Sequence, residues 1–184
     1  MDNLEELEET FNQDKGLYIA IKRAMNDLYR YDKHLIFNAP YKKECPDELG
    51  KHYVGERAIV FRFAHYLQNE LVKDPIYKTY DLDCEYNRNH GNVKALPSYP
   101  NGVFPDLIIH KRNSNKKNLL VIEFKTYWNN SIKVIESDIK KVSELMKKPY
   151  YYNYGLVVII GKTTKDTKII NVNKEKEKDK QNEK

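Results

Sequence analysis

FPDLIIHKRNSNKKNLLVIEFKTYW, residues 104–128, places Asp106, Glu123 and Lys125 inside two of the most apolar runs of the chain. Runs of this composition are strands buried on both faces, where an unpartnered charge costs several kcal/mol or is neutralised. Alternation puts Glu123 and Lys125 on one face of their strand and Phe124 on the other. The polar segment KRNSNKKN makes 104–110 and 119–125 a hairpin. Asp106 then lies near the start of one strand and Glu123 and Lys125 near the end of the next, so antiparallel pairing sets them side by side. Two carboxylates held together raise each other's pKa unless a cation relieves them. That cation is either Lys125, in an internal ion pair tying the strands, or a hard divalent ion such as Mg²⁺ or Mn²⁺. In the second case a main-chain carbonyl of Glu123 or Phe124 can add a ligand.

The flanking segments supply the other elements. In 53–72, Val60, Phe63, Ala64, Leu67 and Leu71 form a helical stripe with Glu56 near its centre. Glu56 either profits from the helix dipole in the first turn or points into a site at the sheet edge. Arg57, Arg62, His65 and Gln68 fall outside the stripe, as surface residues do. Residues 80–86 alternate Leu82, Cys84 and Tyr86 with acids, predicting a half-buried strand whose Glu85 is a further, weaker acidic candidate. Ile132, Ile135, Ile139, Val142 and Met146 predict a helix over 131–147. GLVVIIG, 155–161, predicts a central strand, and 168–172 a last one. The expected fold is α/β: a three-layer α/β/α sandwich around a mixed sheet, in the order αβββαβ.

Ahead of this core, 2–12 (Leu4, Leu7, Phe11) and 17–31 (Tyr18, Ile21, Met25, Leu28) read as amphipathic helices, and 37–52 as loop. KEKEKDKQNEK, 174–184, reads as a disordered charged tail. The chain divides into an N-terminal helical extension, 1–52, a core, 53–173, and the tail.

At 184 residues the length suits one domain. No apolar run reaches a membrane-spanning length, and the acidic start lacks the basic and apolar regions of a signal peptide, so the expected location is cytoplasmic. Cys45 and Cys84 lack metal or redox spacing and read as reduced thiols. The total charge is +5, but residues 1–14 carry −6 and the tail +1, which leaves +10 on residues 15–173. Such a balance suits a polyanionic partner or simply a well-solvated surface. The tyrosine-rich KKPYYYNYG, 147–155, either stacks on bases or rims the core. Zinc-finger, RNP and Walker A patterns are not found.

Pro105-Asp106, sixteen intervening residues and Glu123-Phe124-Lys125, preceded by a helix with an inward glutamate and followed by a helix and a buried strand, resemble the PD-(D/E)xK nuclease superfamily. The resemblance covers residues 53–161. It implies a restriction-endonuclease-like core and a Mg²⁺- or Mn²⁺-dependent deoxyribonuclease in restriction, repair or defence. Asp106 and Glu123 would hold the metal. Glu56 would match the family's helix acid, metal-bound directly or through water, and Lys125 would orient or activate the attacking water and counter charge in the transition state. DNA would be the partner, with RNA left open as the lesser alternative, and Lys111, Arg112, Lys116, Lys117, Lys140 and Lys141 would contact its backbone. A homodimer, or a partner protein supplying specificity, is compatible with this. The competing expectation is a catalytically silent nucleic-acid-binding or protein-interaction module on the same fold. In an interaction module the acidic first helix docks on a basic partner; in the nuclease it would instead cover the protein's own basic cleft as a brake.

Overall fold

The computed structural model describes residues 6–11, 13–37 and 55–172. The loop expected at 37–52, Cys45 and the charged tail lie almost wholly outside these residues. The elements are α1 (Lys15–Tyr31), α2 (Lys33–Ile36), α3 (Glu56–Leu71), β1 (Asp81–Cys84), β2 (Arg88–Asn89), β3 (Asn92–Val93), β4 (Leu107–His110), β5 (Leu120–Thr126), α4 (Ile132–Leu145), β6 (Tyr154–Ile160) and β7 (Lys168–Asn171).

The main sheet has the order β1-β4-β5-β6-β7, with β5 and β6 parallel and every other pair antiparallel. Leaving aside α1, α2, the small hairpin and the last strand, the core runs α3, β1, β4, β5, α4, β6, which is the expected αβββαβ order. Every residue of β5 is buried, charged ones included, because a helix layer covers each face of the sheet. On one face Leu107, Ile109, Leu120, Ile122 and Phe124 pack with α1 and α3. On the other, Ile108, Val121, Val157 and Ile159 pack with Ile135, Val142 and Leu145 of α4. Gly155 permits that close approach: a Cβ there would stand 2.4 Å from Met146 Sδ and 2.5 Å from Val142 Cγ1.

Several expectations are corrected. The helix expected over 2–12 is, among the described residues, a 3₁₀ turn at Glu6–Glu9. Leu7 and Phe11 are fully buried, Phe11 lies 4.5 Å from the Tyr154 ring, and Thr10 Oγ1 accepts a hydrogen bond from Asn171 at 2.7 Å. Leu7, Thr10 and Phe11 are therefore seated in the core beside β6 and β7. The buried face of α4 is Ile135, Asp138, Val142 and Leu145, so the predicted stripe is rotated and Ile132 is left 75% exposed. β1 is an edge strand with Leu82 half-buried against the core, as expected, but with Cys84 exposed and unbridged. Burial works against the Asp83 carboxylate, but hydrogen bonds with His110 and Arg112 outweigh it and lower its pKa to about 2. The hairpin of β2 and β3 was not expected. Its turn contains His90 at a left-handed φ of 54°.

Residues 94–103 form a strap leading from that hairpin to Asp106. Val103 N–H donates to the Lys94 carbonyl, the Ala95 N–H and carbonyl both bond the Tyr150 hydroxyl, and Ser98 donates twice to Glu144. Lys94 itself is 2% exposed. Its ammonium donates to Tyr152 Oη at 2.9 Å and lies 5.2–5.8 Å from the ring centres of Tyr86, Tyr150 and Tyr152. The rings return part of the desolvation cost, yet among the described residues Lys94 has no ion-pair partner, and burial lowers its pKa to about 8. Between about pH 8 and 10.5 the unfolded chain holds a proton at this lysine that the native chain does not, so this group raises stability as pH rises through that window. In thermal unfolding, Lys94→Met is expected to be favoured over wild type most strongly at pH 7. Its advantage should shrink steadily from pH 8 to 10, starting from on the order of 1–3 kcal/mol.

Candidate active site

The hairpin register, Leu107 opposite Ile122 and Ile109 opposite Leu120, brings Asp106 beside Glu123 and Phe124. Asp106 Oδ2 accepts a hydrogen bond from the Phe124 N–H at 2.7 Å, which fixes its carboxylate at the start of β4. Asp106, Glu123 and Lys125 share the face of the sheet that α4 covers. Glu56 enters from the first turn of α3, and Asp138 and Lys141 enter from α4.

Lys125 is the hub. Its ammonium donates to the Phe124 carbonyl at 2.6 Å and to Glu56 Oε1 at 3.1 Å, and stands 3.1 Å from Asp138 Oδ2. The last contact is an ion pair without hydrogen-bond alignment, so Asp138 Oδ2 has no hydrogen-bond partner. Lys141 donates to Glu123 Oε2 at 2.5 Å and lies 3.6 Å from Asp138 Oδ1. Glu123 is fully buried, and its Oε1, like Glu56 Oε2, has no hydrogen-bond partner.

Four carboxylates thus face two ammonium groups. Burial raises the pKa of Glu123 well above the usual carboxylate range, with Asp106 adding to the effect. Burial likewise raises Glu56 and Asp106, against the relief that the lysine partners provide. Burial works against the lysines as well, but Asp138 and Glu56 hold Lys125, and Glu123 holds Lys141, above the ordinary lysine value. Both ammonium groups therefore stay charged.

Beside this cluster a cavity of about 140 Å³ is lined by Glu56, Arg57, Val60, Cys84, Glu85 and Asp106. Glu85, at a left-handed φ of 50°, pairs with Arg57 across 2.5 Å at its rim. Glu85 is accordingly an ion-paired wall residue.

The basic residues expected to contact nucleic acid divide. Lys111, Arg112, Lys116 and Lys117 occupy the turn at the far end of the hairpin, with Lys111 five strand residues, roughly 17 Å, from Asp106. Lys111 pairs with Asp81 at 3.4 Å, and Arg112 grips Asp83. Lys140 is exposed on α4, whereas Lys141 turns inward to Glu123. Of the tyrosine-rich segment, Tyr150 and Tyr152 are core residues and Tyr151 is 59% exposed. Asp138 was missed in the sequence. Its spacing three residues after Ile135 and four before Val142 was the signal, since that places it on the buried face of α4.

Among the described residues no group of three or more His, Cys, Asp or Glu side chains is gathered to hold a metal ion. A magnesium-type ion needs only one or two carboxylates, completed by water and phosphate oxygens. The neighbouring Asp106 and Glu123, with Glu123 Oε1 lacking a donor, fit that smaller set. Compared with known proteins, the chain matches no family model, no curated protein and no solved structure.

Glu123→Gln keeps the shape of the side chain and removes a charge that the fold disfavours. A carboxylate raised in the native state binds more protons there than when unfolded, so its contribution to stability falls as pH rises through that interval. In chelator the stability of the variant relative to wild type is expected to rise as pH rises from acid to neutral, read by thermal unfolding across that range.

Proposed function

We propose that this protein is a metal-dependent phosphodiesterase that hydrolyses the backbone of nucleic acid, with DNA as its first-choice substrate. The observation that carries the proposal is the charge imbalance: four carboxyl groups, Glu56, Asp106, Glu123 and Asp138, face two ammonium groups, Lys125 and Lys141, so that their full ionisation would leave two negative charges unmatched beside a cavity. One divalent cation would match them. Asp106 and Glu123 would hold it, with Glu56 reached directly or through water. When bound, Mg²⁺ or Mn²⁺ supplies a polarised phosphoryl oxygen and a water of lowered pKa.

The chain's own groups divide the remaining work. Lys125, kept protonated by its carboxylate partners, is an unsuitable base and a good hydrogen-bond donor. It orients the attacking water and counters charge that develops on the phosphoryl oxygens. Glu56 Oε2, unpartnered and raised in pKa, is the better proton acceptor at the cavity wall. Asp138 holds the Lys125 ammonium from the α4 side. The resemblance to PD-(D/E)xK nucleases assigns the same roles to Asp106, Glu123 and Lys125. The pairing of each lysine with a carboxylate favours the competing possibility, a silent binding or interaction module whose core is tied by ion pairs.

Cleavage of plasmid DNA, single-stranded DNA and RNA in Mg²⁺ or Mn²⁺ separates the two. Wild type is expected to cut at least one of these. Lys125→Ala and Asp106→Ala are expected to lose about 10²–10³-fold in rate while remaining folded, and Asp106→Ala also to lose calorimetric metal binding. Intact folding with neither metal uptake nor cleavage in wild type would leave the silent module as the function.

A further inference from the structure

The two lysines of the cluster are held very differently. Lys125 has the Phe124 carbonyl at 2.6 Å, Glu56 at 3.1 Å and Asp138 at 3.1 Å, so three elements fix it. Lys141 has one close partner, Glu123 Oε2 at 2.5 Å, and only a 3.6 Å contact to Asp138. Its side chain is 15% exposed where that of Glu123 is 0%. Glu123 Oε1, on the same carboxylate, has no donor. Glu123 therefore has one oxygen available to an incoming cation and one neutralised by an ammonium group on a flexible four-carbon stem, mounted on a helix and already reaching solvent.

We propose that Lys141 is an exchangeable counter-cation: it neutralises Glu123 in the metal-free protein and withdraws when a divalent cation binds Asp106 and Glu123. This rests on the metal-dependent reading above and adds to it a built-in competitor for the metal. Two positive groups on one carboxylate repel each other at short range. Lys141 is the one that yields, because leaving costs it one short contact, whereas Lys125 would lose three. The withdrawn ammonium remains over the site, in reach of solvent, where a substrate phosphate would arrive. Exchange sets metal affinity below what the carboxylates alone would give, and keeps the empty cluster from carrying its full repulsion.

The test is calorimetric titration of Mn²⁺ into metal-free wild type and Lys141→Met. The variant is expected to bind about tenfold tighter or more, and to unfold at a lower temperature than wild type in chelator but not in saturating Mn²⁺. Lys141 labelling of the wild-type protein by acetic anhydride, read by peptide mass spectrometry, decides the matter even if the variant does not fold. Labelling is expected to rise several-fold on Mn²⁺ saturation while Lys125 stays protected. Mn²⁺ binding with unchanged or weaker affinity in Lys141→Met, or with Lys141 still protected in wild type, overturns the exchange while leaving metal dependence standing. Absence of Mn²⁺ uptake by folded wild type removes the metal-dependent function, and the exchange with it.

Discussion

The Lys125 ammonium is the point on which the architecture turns. It is bonded at once to β5 through the Phe124 carbonyl, to α3 through Glu56 and to α4 through Asp138, so one positive charge joins the sheet to a helix on each of its faces. Apolar packing would hold those layers together without it, since Phe124, Leu120 and Ile122 on one side and Val121 on the other are fully buried. What the ammonium adds is direction. It fixes where along β5 each helix sits, because a displaced carboxylate would leave a buried charge unmatched.

The same group explains why so many carboxylates can gather in a small volume. Glu56, Asp106 and Glu123 are all displaced toward their neutral forms, and the cluster persists because the surrounding sheet and helices over-determine it. Hydrophobic replacements of similar volume for buried ion pairs are often neutral or stabilising.

Much of this was legible in the chain. The apolar runs at 104–128 and 155–161, interrupted by Asp106 and by Glu123 with Lys125, determine the hairpin, its register and the central strand, because period-two alternation leaves one way to bury Phe124 and Ile122 on the α3 side. Glu56 was visible as an acid on an apolar helical stripe. Harder to read were features settled by tertiary contacts. Asp138 is an acid on the buried face of α4 that meets Lys125 there, while Ile132, an apolar residue of the expected stripe, is exposed. Lys141 is indistinguishable in sequence from Lys140 beside it, yet Lys140 is exposed while Lys141 is half-buried and paired with Glu123. Lys94 gave no sign of its tyrosine surroundings, since Tyr150 and Tyr152 come from a segment more than fifty residues away.

The parallel pairing of β5 with β6 has a kinetic consequence. Parallel neighbours need a long crossover, and here the crossover contains α4, which carries Asp138 and Lys141. The β4–β5 hairpin can close locally, but on its own it sets Asp106 beside Glu123 before Lys141 has arrived. Lys125 travels with that hairpin, but Asp138 and Lys141 join it only when the chain has passed through α4 to β6. The full cluster, with Asp138 and Lys141 in place, therefore forms only with the completed crossover, a step of high contact order. A cation that binds only the finished cluster would then act on the rate of unfolding and leave the rate of folding nearly unchanged.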